Sequence, residues 1–466
     1  MNTIIYPIFQ SNFIRAAILL AFWAGINMGT HVAFLVGFNF PLGPGYHAYT
    51  QTHGYIQLMG WIGLFIMGVS IHFLSRLAHL NTVKASKINW IYRLMVSGLI
   101  LRFISHSFLP YFPESIWYEI LGRIVVVSAN LITIGIVIYI SFLFSVFQKM
   151  TPSIHKENRD IRWFIILNII GWIGFTVGTN ILTIKMVLDK QVSLMHNWHL
   201  FLVDSFILFT ILPICFGMGL RSLPLFMRLA PIRWNVKQFT SIYSVVVVTI
   251  ILVKLVYHFI YIELFPIMIY SLNILKDGLI LWFVYKLDIV FKTKPGWTES
   301  QNEEKVTHKK EPRIGMPDYG EFGRFEWLIR SAFVWLSLGA ILDIMIQMEL
   351  AFKIQLGVGI DGVRHMYLAG FISLLIMGMA VRMIPGMTGA MRLNHPKRVA
   401  WLAILINGSV LFRTLSIVLP ESFLNILPNG SVFSTRLFGV SGILFMIGLW
   451  VFYSIIKPVL EPKTTL

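Results

Sequence analysis

Apolar residues occur along this chain in long blocks that short polar connections separate. A helix needs roughly 20 predominantly apolar residues to cross about 30 Å of hydrocarbon. The pattern therefore predicts an all-α membrane protein with about twelve transmembrane helices. The predicted helices are at about 13–38, 51–75, 88–109, 117–147, 163–187, 196–220, 238–261, 265–287, 325–350, 363–386, 397–419 and 433–457.

The composition supports a surface that faces lipid. The chain is 56% hydrophobic and only 13% charged, whereas soluble domains have about 25% charged residues. A net charge of +17 is compatible with nucleic-acid binding, but the basic residues lie in the connections between apolar blocks. We therefore expect the partner of this chain to be a lipid bilayer, not a nucleic acid.

The distribution of lysine and arginine predicts the orientation of the helices. The connections after helices 2, 4, 6, 8 and 10 hold most of these residues, whereas the opposite connections hold Lys190, Lys353 and Arg364. Cytoplasmic connections carry the excess of basic residues in membrane proteins. We therefore predict that both termini are cytoplasmic and that 288–324 is a long cytoplasmic loop.

The chain also repeats itself. The segment GFTVGTN at 174–180 is similar to GINMGTH at 25–31, and a Gly-x3-Arg-x2-Pro motif places Arg221 and Arg382 at the inner ends of helices 6 and 10. Repetition of this kind indicates one architecture built from equivalent parts. We predict a single transmembrane domain, 1–466, with three four-helix units at about 13–147, 163–287 and 325–457.

Eight of the thirteen histidines are predicted to lie near the outer ends of helices. Neutral imidazole is the commonest metal ligand and suits iron, copper and zinc. The alternative is that a histidine at a membrane interface is simply hydrated or bonded to a backbone carbonyl. His47 belongs to this group, and the candidate metal ligands are the other seven: His31, His53, His106, His196, His199, His258 and His365.

Helices 3, 7 and 11 each carry a basic residue within the apolar block, at Arg102, Lys254 and Arg413. Charged residues inside a membrane usually face the bundle interior and have a partner. Arg102 and Arg413 are candidates for binding an acidic group of a cofactor, such as a haem propionate. The alternative is an ordinary ion pair with one of the aspartates of the apolar blocks, Asp204, Asp277 or Asp343.

Several kinds of chemistry have no support in the sequence. Cys215 is the only cysteine, so an intrachain disulfide and a cysteine-based metal site are excluded. The chain has no Walker A, CxxCH or HExxH motif and no serine-hydrolase signature. The methionines lie among leucine and isoleucine, where they are expected to pack.

Three segments resemble the NnrS family of bacterial multi-pass membrane proteins: 53–76, 217–228 and 363–389. The third has the family's order of His365, a Met-rich helix, Arg382 and Gly-Met-Thr-Gly. The resemblance implies haem or copper as cofactor, nitric oxide as a ligand, and the bacterial inner membrane as location. One departure is that the family's His-x-His-Glu motif reads His53-Gly54-Tyr55-Ile56 here.

The helix pattern also resembles the catalytic subunit of haem-copper oxidases, which has twelve helices in three arcs and histidine ligands on helices 2, 6, 7 and 10. The chain departs from it in lacking a His-His pair on helix 7 and a His-x-His on helix 10. The residues on the corresponding helices are His53, His196 or His199, His258 and His365.

We therefore expect a haem- and/or copper-binding membrane protein that takes part in the response to nitric oxide or in denitrification. Two alternatives belong to other classes. A secondary transporter without a metal would also carry repeats and intramembrane charges. A non-catalytic assembly or sensor subunit would bind a cofactor without turning over a substrate.

Overall fold

A computed structural model describes residues 9–77, 85–150, 160–260, 262–293, 320–354, 359–419, 421–424, 426 and 428–461. These residues are almost entirely helical, and none of them forms a β-strand. Most of the predicted cytoplasmic loop, 294–319, lies outside the described residues.

Twelve of the described helices are long and apolar enough to cross a membrane, which confirms the predicted all-α fold with about twelve such helices. The orientation of the termini stays a prediction. The shortest has 21 residues and is therefore about 31 Å long. A short helix, Glu421–Leu424, precedes the last of them. In chain order the twelve are α1 Ser11–Gly37, α2 Tyr46–Arg76, α3 Ala85–Tyr111, α4 Ile116–Lys149, α5 Arg162–Leu188, α6 His196–Met227, α7 Val236–Tyr257, α8 Leu264–Leu287, α9 Phe325–Phe352, α10 Ile360–Thr388, α11 Arg398–Val418 and α12 Gly430–Leu460.

Large apolar side chains cover the outward faces of these helices. Trp23, Val137, Ile181, Val245 and Trp450 are all exposed. A soluble protein rarely exposes apolar residues over such an extended surface. Helices satisfy their backbone hydrogen bonds internally, as a bilayer requires, so both the backbone and the surface suit embedding in lipid.

The described residues divide into two compact units, Met1–Ile214 and Cys215–Leu466. The boundary falls inside α6, so unit 1 contains α1 to α5 and the first half of α6. Unit 2 contains the remainder of α6 and α7 to α12. The division into three four-helix repeats stays a prediction.

Aromatic side chains form the centre of unit 1. The Trp172 ring is fully buried and lies edge-on to Tyr139, at 5.7 Å, and to Phe206, at 4.9 Å. Phe175 joins the same cluster at 4.6 Å from Phe206. Because aromatic side chains bury 150–250 Å² each, this cluster holds α4, α5 and α6 together.

Unit 2 has an aromatic centre of its own. The Phe216 ring lies 4.5 Å from Phe283, and Phe239 stacks on Phe283 at 5.2 Å. Trp234 packs against this group from the connection before α7, at 5.7 Å from Phe239. These contacts join the end of α6 to α7 and α8.

Four helices contain a π-helical stretch, in which the backbone turn is wider than in an α-helix. The stretches are Ala21–Ile26 in α1, Ile56–Leu64 in α2, Ile207–Ile211 in α6 and Met366–Ile372 in α10. In α2, α6 and α10 the stretch follows a candidate histidine of the same helix. Such stretches are rare and occur frequently at functional sites.

The end of α10 explains part of the Gly-Met-Thr-Gly motif. Gly389 has a φ of +78°, and the Ala390 N–H donates to the Pro385 carbonyl at 2.7 Å. A left-handed glycine just beyond a helix is a common way to satisfy its last carbonyls. The Arg382 guanidinium lies over the Phe322 ring at 4.3 Å, so the motif anchors this end of the helix.

Two glycines of α5 test the packing of unit 1. A Cβ at Gly171 would collide with the Thr210 hydroxyl and lie 2.9 Å from the Phe209 Cβ, whereas a Cβ at Gly174 meets nothing within 4 Å. We expect Gly171→Ala to destabilise the protein by about 1–3 kcal/mol through overpacking. Gly174→Ala makes the same substitution in open space and is expected to leave stability unchanged or slightly raised. Melting temperatures in detergent measure both, and equal effects would contradict this packing.

Candidate functional site

His106, on α3, lies in a buried polar cluster of unit 1. Its Nδ1 is 2.7 Å from the Thr52 hydroxyl and its Nε2 is 3.2 Å from the Val192 carbonyl. A carbonyl only accepts, so Nε2 carries the proton and Nδ1 accepts from the hydroxyl. Both ring nitrogens are therefore occupied, and in this structure His106 links α2 to the α5–α6 connection.

Arg102 lies one turn before His106 and is 98% buried. Its Nη1 donates to the Thr183 hydroxyl at 2.9 Å, and its guanidinium lies 5.2 Å from the centre of the Tyr55 ring. Its Nε has no acceptor among the described residues. The guanidinium contacts that the structure describes thus come from a hydroxyl and an aromatic ring, not from a carboxylate.

This environment leaves the Arg102 charge uncompensated within the described part of the chain. A buried charge is costly unless it is paired and hydrogen-bonded. Guanidinium groups also pair well with carboxylates, since their donors match the two carboxylate oxygens. The chemistry of this position therefore fits an anionic group such as a propionate.

The connection between α5 and α6 is held in place by side chains from α2 and α4. The Gln51 amide donates to the Leu194 carbonyl at 2.9 Å and accepts from the Leu194 N–H at 2.7 Å. The Tyr118 hydroxyl donates to the Gln191 carbonyl at 2.8 Å. These bonds fix the point at which α6 begins.

The first turn of α6 carries two candidate ligands. His196 is its first residue and is exposed, whereas His199 is 6% exposed. His199 interacts electrostatically with His106. The two rings therefore differ in burial, although both residues lie in the first turn of α6.

His53, on α2, is held by a hydrogen bond to the backbone of α1. Its Nδ1 donates to the Gly25 carbonyl of α1 at 2.7 Å. A Cβ at Gly29 would collide with the imidazole ring, so the glycine provides the space in which the ring lies. The bond from Nδ1 fixes the tautomer in which Nε2 carries the lone pair, and ligating histidines are oriented in this way.

His258 and His365, in unit 2, have the same Nδ1 arrangement. The Nδ1 of His258 donates to the Lys254 carbonyl and that of His365 to the Asp361 carbonyl, both at 2.8 Å. Each acceptor lies four residues earlier on the same helix. His258 is exposed and His365 half-buried.

The remaining predicted residues lie in less enclosed positions. His31 and His47 are exposed, and the His31 ring is 5.9 Å from the Tyr49 ring. The Arg413 guanidinium is half-buried and lies 4.5 Å from the Phe438 ring centre. These three side chains are therefore at least partly accessible at the surface of their helices.

Within the described residues, no three or more His, Cys, Asp and Glu side chains are grouped so that they could hold a metal ion. A haem needs less from the protein, since one or two axial side chains suffice. His53 offers one oriented imidazole, and Arg102 offers a buried cation for a propionate. These two residues therefore fit a haem better than a metal ion that protein side chains alone would hold.

Unit 2 contains a buried ionic cluster in which Asp277 and Asp343, the possible ion-pair partners named from the sequence, both contact Lys276. The Lys276 Nζ lies 2.7 Å from the Asp343 Oδ2 and 3.2 Å from the Asp277 Oδ1. The Tyr367 hydroxyl donates to the Asp277 Oδ1 at 3.1 Å, and the Gln347 amide donates to the Asp343 Oδ1 at 2.8 Å. The Lys-Asp pair inside the apolar block of α8 is the feature of the sequence that indicates this cluster.

Neither a protein-family model nor a curated protein matches this sequence, so the NnrS resemblance has no further support. A solved structure does match the fold. It is the cryo-EM structure of a haem-copper terminal oxidase dimer, with a TM-score of 0.68, 14% sequence identity, and coverage of 97% of this chain and 84% of that chain. The chain thus has the fold of a haem-copper terminal oxidase.

The two hydrogen bonds of His106 predict a structural role. His106→Ala leaves the Val192 carbonyl without its buried donor and the Thr52 hydroxyl without its acceptor, which costs about 1–3 kcal/mol for each group. We expect a lower melting temperature and unchanged iron and copper contents. His47→Ala, at an exposed position of α2, is the matched control and is expected to change neither. Loss of metal in His106→Ala at unchanged stability would contradict this role.

Proposed function

We propose that this chain is a haem- and/or copper-binding membrane protein. The observation that carries the proposal is the buried Arg102 guanidinium, which has no carboxylate among its described contacts. A haem propionate would supply that carboxylate. The fold supports the proposal, because the solved structure that shares it is a haem-copper terminal oxidase.

His53 is the residue that we assign as a ligand that would hold the haem iron. Its Nδ1 bond to the Gly25 carbonyl and the space at Gly29 orient a basic Nε2. When bound, a haem supplies an iron that takes diatomic ligands and accepts or donates single electrons. His196, His199, His258 and His365 are further candidates for the same kind of ligation, followed by His31, whereas both ring nitrogens of His106 are in hydrogen bonds.

Nitric oxide is the diatomic ligand that we propose, in a nitric oxide response or in denitrification in a bacterial inner membrane. This finer proposal rests on the NnrS resemblance of 53–76, 217–228 and 363–389. The three-repeat architecture, with both termini cytoplasmic, belongs to the same proposal. The repeats are supported by π-helical stretches in α2, α6 and α10, which are equivalent in the predicted repeats. The orientation is supported by the distribution of lysine and arginine.

The assignment of His53 is tested by paired substitutions on α2. We expect His53→Ala to weaken haem binding at least tenfold, which corresponds to about 1.4 kcal/mol, because the axial nitrogen is lost. His47→Ala removes an exposed imidazole from the same helix and is expected to retain haem. Haem content and iron and copper analysis of both purified proteins decide between them. Equal cofactor contents would refute the assignment.

Arg102 predicts opposite effects on stability and on cofactor binding. Arg102→Met removes a buried charge that lacks a counter-ion, so the haem-free protein is expected to be as stable as wild type or more so. Haem binding is expected to weaken by about 10–100-fold, since hydrogen bonds to charged groups contribute about 1.5–3 kcal/mol. Arg123→Met, at an exposed position of α4, is the control. If Arg102→Met destabilises the haem-free protein and leaves haem affinity unchanged, Arg102 has only a structural role.

A secondary transporter is the second candidate, and the Lys276–Asp277–Asp343 cluster favours it. Ionisable residues inside a membrane often mark ion pathways. Such a protein would contain neither iron nor copper after purification, and substitution of the cluster would change solute flux while substitution of His53 would not.

A further inference from the structure

The ionic cluster of unit 2 is almost completely shielded from solvent. Asp277 is fully buried, and Lys276 and Asp343 are only 4% and 8% exposed. The three residues lie in the interiors of α8 and α9. Tyr367, from the π-helical stretch of α10, completes the cluster and is 5% exposed.

The formal charges of this cluster do not balance. Two carboxylates face one ammonium group, so full ionisation leaves one excess negative charge. An unpaired charge in a medium of low polarity is so costly that the group usually becomes neutral instead. One positive charge, a proton or a metal cation, must therefore be bound when the protein is folded.

The hydrogen bonds distinguish the two carboxylates. Both oxygens of Asp343 are occupied, since Oδ2 accepts from Lys276 at 2.7 Å and Oδ1 from Gln347 at 2.8 Å. At Asp277 the ammonium and the Tyr367 hydroxyl both approach Oδ1, at 3.2 and 3.1 Å. The Asp277 Oδ2 is buried and has no partner among the described residues. Asp277 is thus the carboxyl group with an oxygen left to protonate.

A metal cation fits this cluster less well than a proton. The Lys276 ammonium already lies between the two carboxylates, where a cation would have to bind. No three or more carboxylate, histidine and cysteine side chains in the described part of the chain are grouped to hold a metal ion. A proton needs only the one open oxygen.

The groups that face Asp277 are known from each neighbouring helix. Lys276 precedes it on α8, and the Tyr367 hydroxyl contacts it from α10. On α9, Asp343 shares the Lys276 ammonium with it and is itself bonded to Gln347. Tyr243 interacts with it from α7. Among these only Lys276 is basic, so nothing in this set offsets the second carboxylate.

We propose that Asp277 is a proton-binding site, and that the folded protein holds one proton on its Oδ2. The proton makes the cluster neutral and leaves the Lys276–Asp343 pair as its ionic core. Its release would place a second negative charge beside Asp343, and so would disturb the contact of α8 with α9. The proposal does not depend on whether the chain binds haem.

Infrared spectroscopy of the full-length protein in detergent tests this site. At neutral pH exposed carboxyl groups are ionised, so the C=O stretch of a protonated acid reports a shielded one. We expect one aspartic acid band, identified by its shift with isotope-labelled aspartate, and we expect Asp277→Asn to remove it. Asp204→Asn, on α6, is the matched control and is expected to keep it.

The charge count makes a second, independent test. Lys276→Met leaves two buried carboxyl groups without a cation, and both are expected to be protonated, giving about twice the wild-type intensity. Lys276→Arg keeps the positive charge and is expected to keep a single band. In Tyr367→Phe the band persists at a higher frequency, because the carbonyl oxygen loses a donor.

Several outcomes would overturn the proposal. These are the absence of a protonated-acid band in the folded wild type, its persistence in Asp277→Asn, and its loss in Asp204→Asn. If Asp277→Asn does not fold, the Tyr367→Phe result decides. An unchanged band frequency in that variant means that the protonated acid is not Asp277.

Discussion

Every polar group that lies within a bilayer needs a partner inside the protein, and this constraint determines most of the structure. The backbone meets it by forming twelve helices, and hydroxyl groups such as that of Thr183 meet it through the carbonyls of their own helix. His106 meets it by bridging Thr52 and Val192. Buried polar groups that are left over are therefore informative.

Two such groups stand out, and each leads to a ligand of opposite charge. In unit 1 the Arg102 guanidinium is a buried cation with hydroxyl and aromatic contacts, which fits an anionic cofactor group. In unit 2 the Lys276 cluster has one carboxylate too many, which fits a proton. Unit 1 also contains the His53 imidazole, whose Nδ1 donates a hydrogen bond to the Gly25 carbonyl. Charge balance within each unit thus underlies both proposals.

The sequence predicts the helices well, because each block of about 20 apolar residues decides its own structure. It could not predict the role of His106, whose partners are 54 and 86 residues away. The ion pair of Lys276 could not be predicted either, because its partner Asp343 on α9 is 67 residues away. Spacing along one helix does not show contacts with another helix. The histidine ligation stays a prediction, since periodicity gives a residue's helix but not its neighbours.

The central claim is that this chain binds a haem at an accessible site. The most direct test is a reduced-minus-oxidised visible spectrum of the detergent-purified protein, expressed with haem available and recorded again after addition of nitric oxide. Haem at an accessible site would give sharp haem bands that shift when nitric oxide is added. A flat spectrum from folded protein would contradict haem binding, and the absence of copper from the same sample would contradict the whole metal assignment.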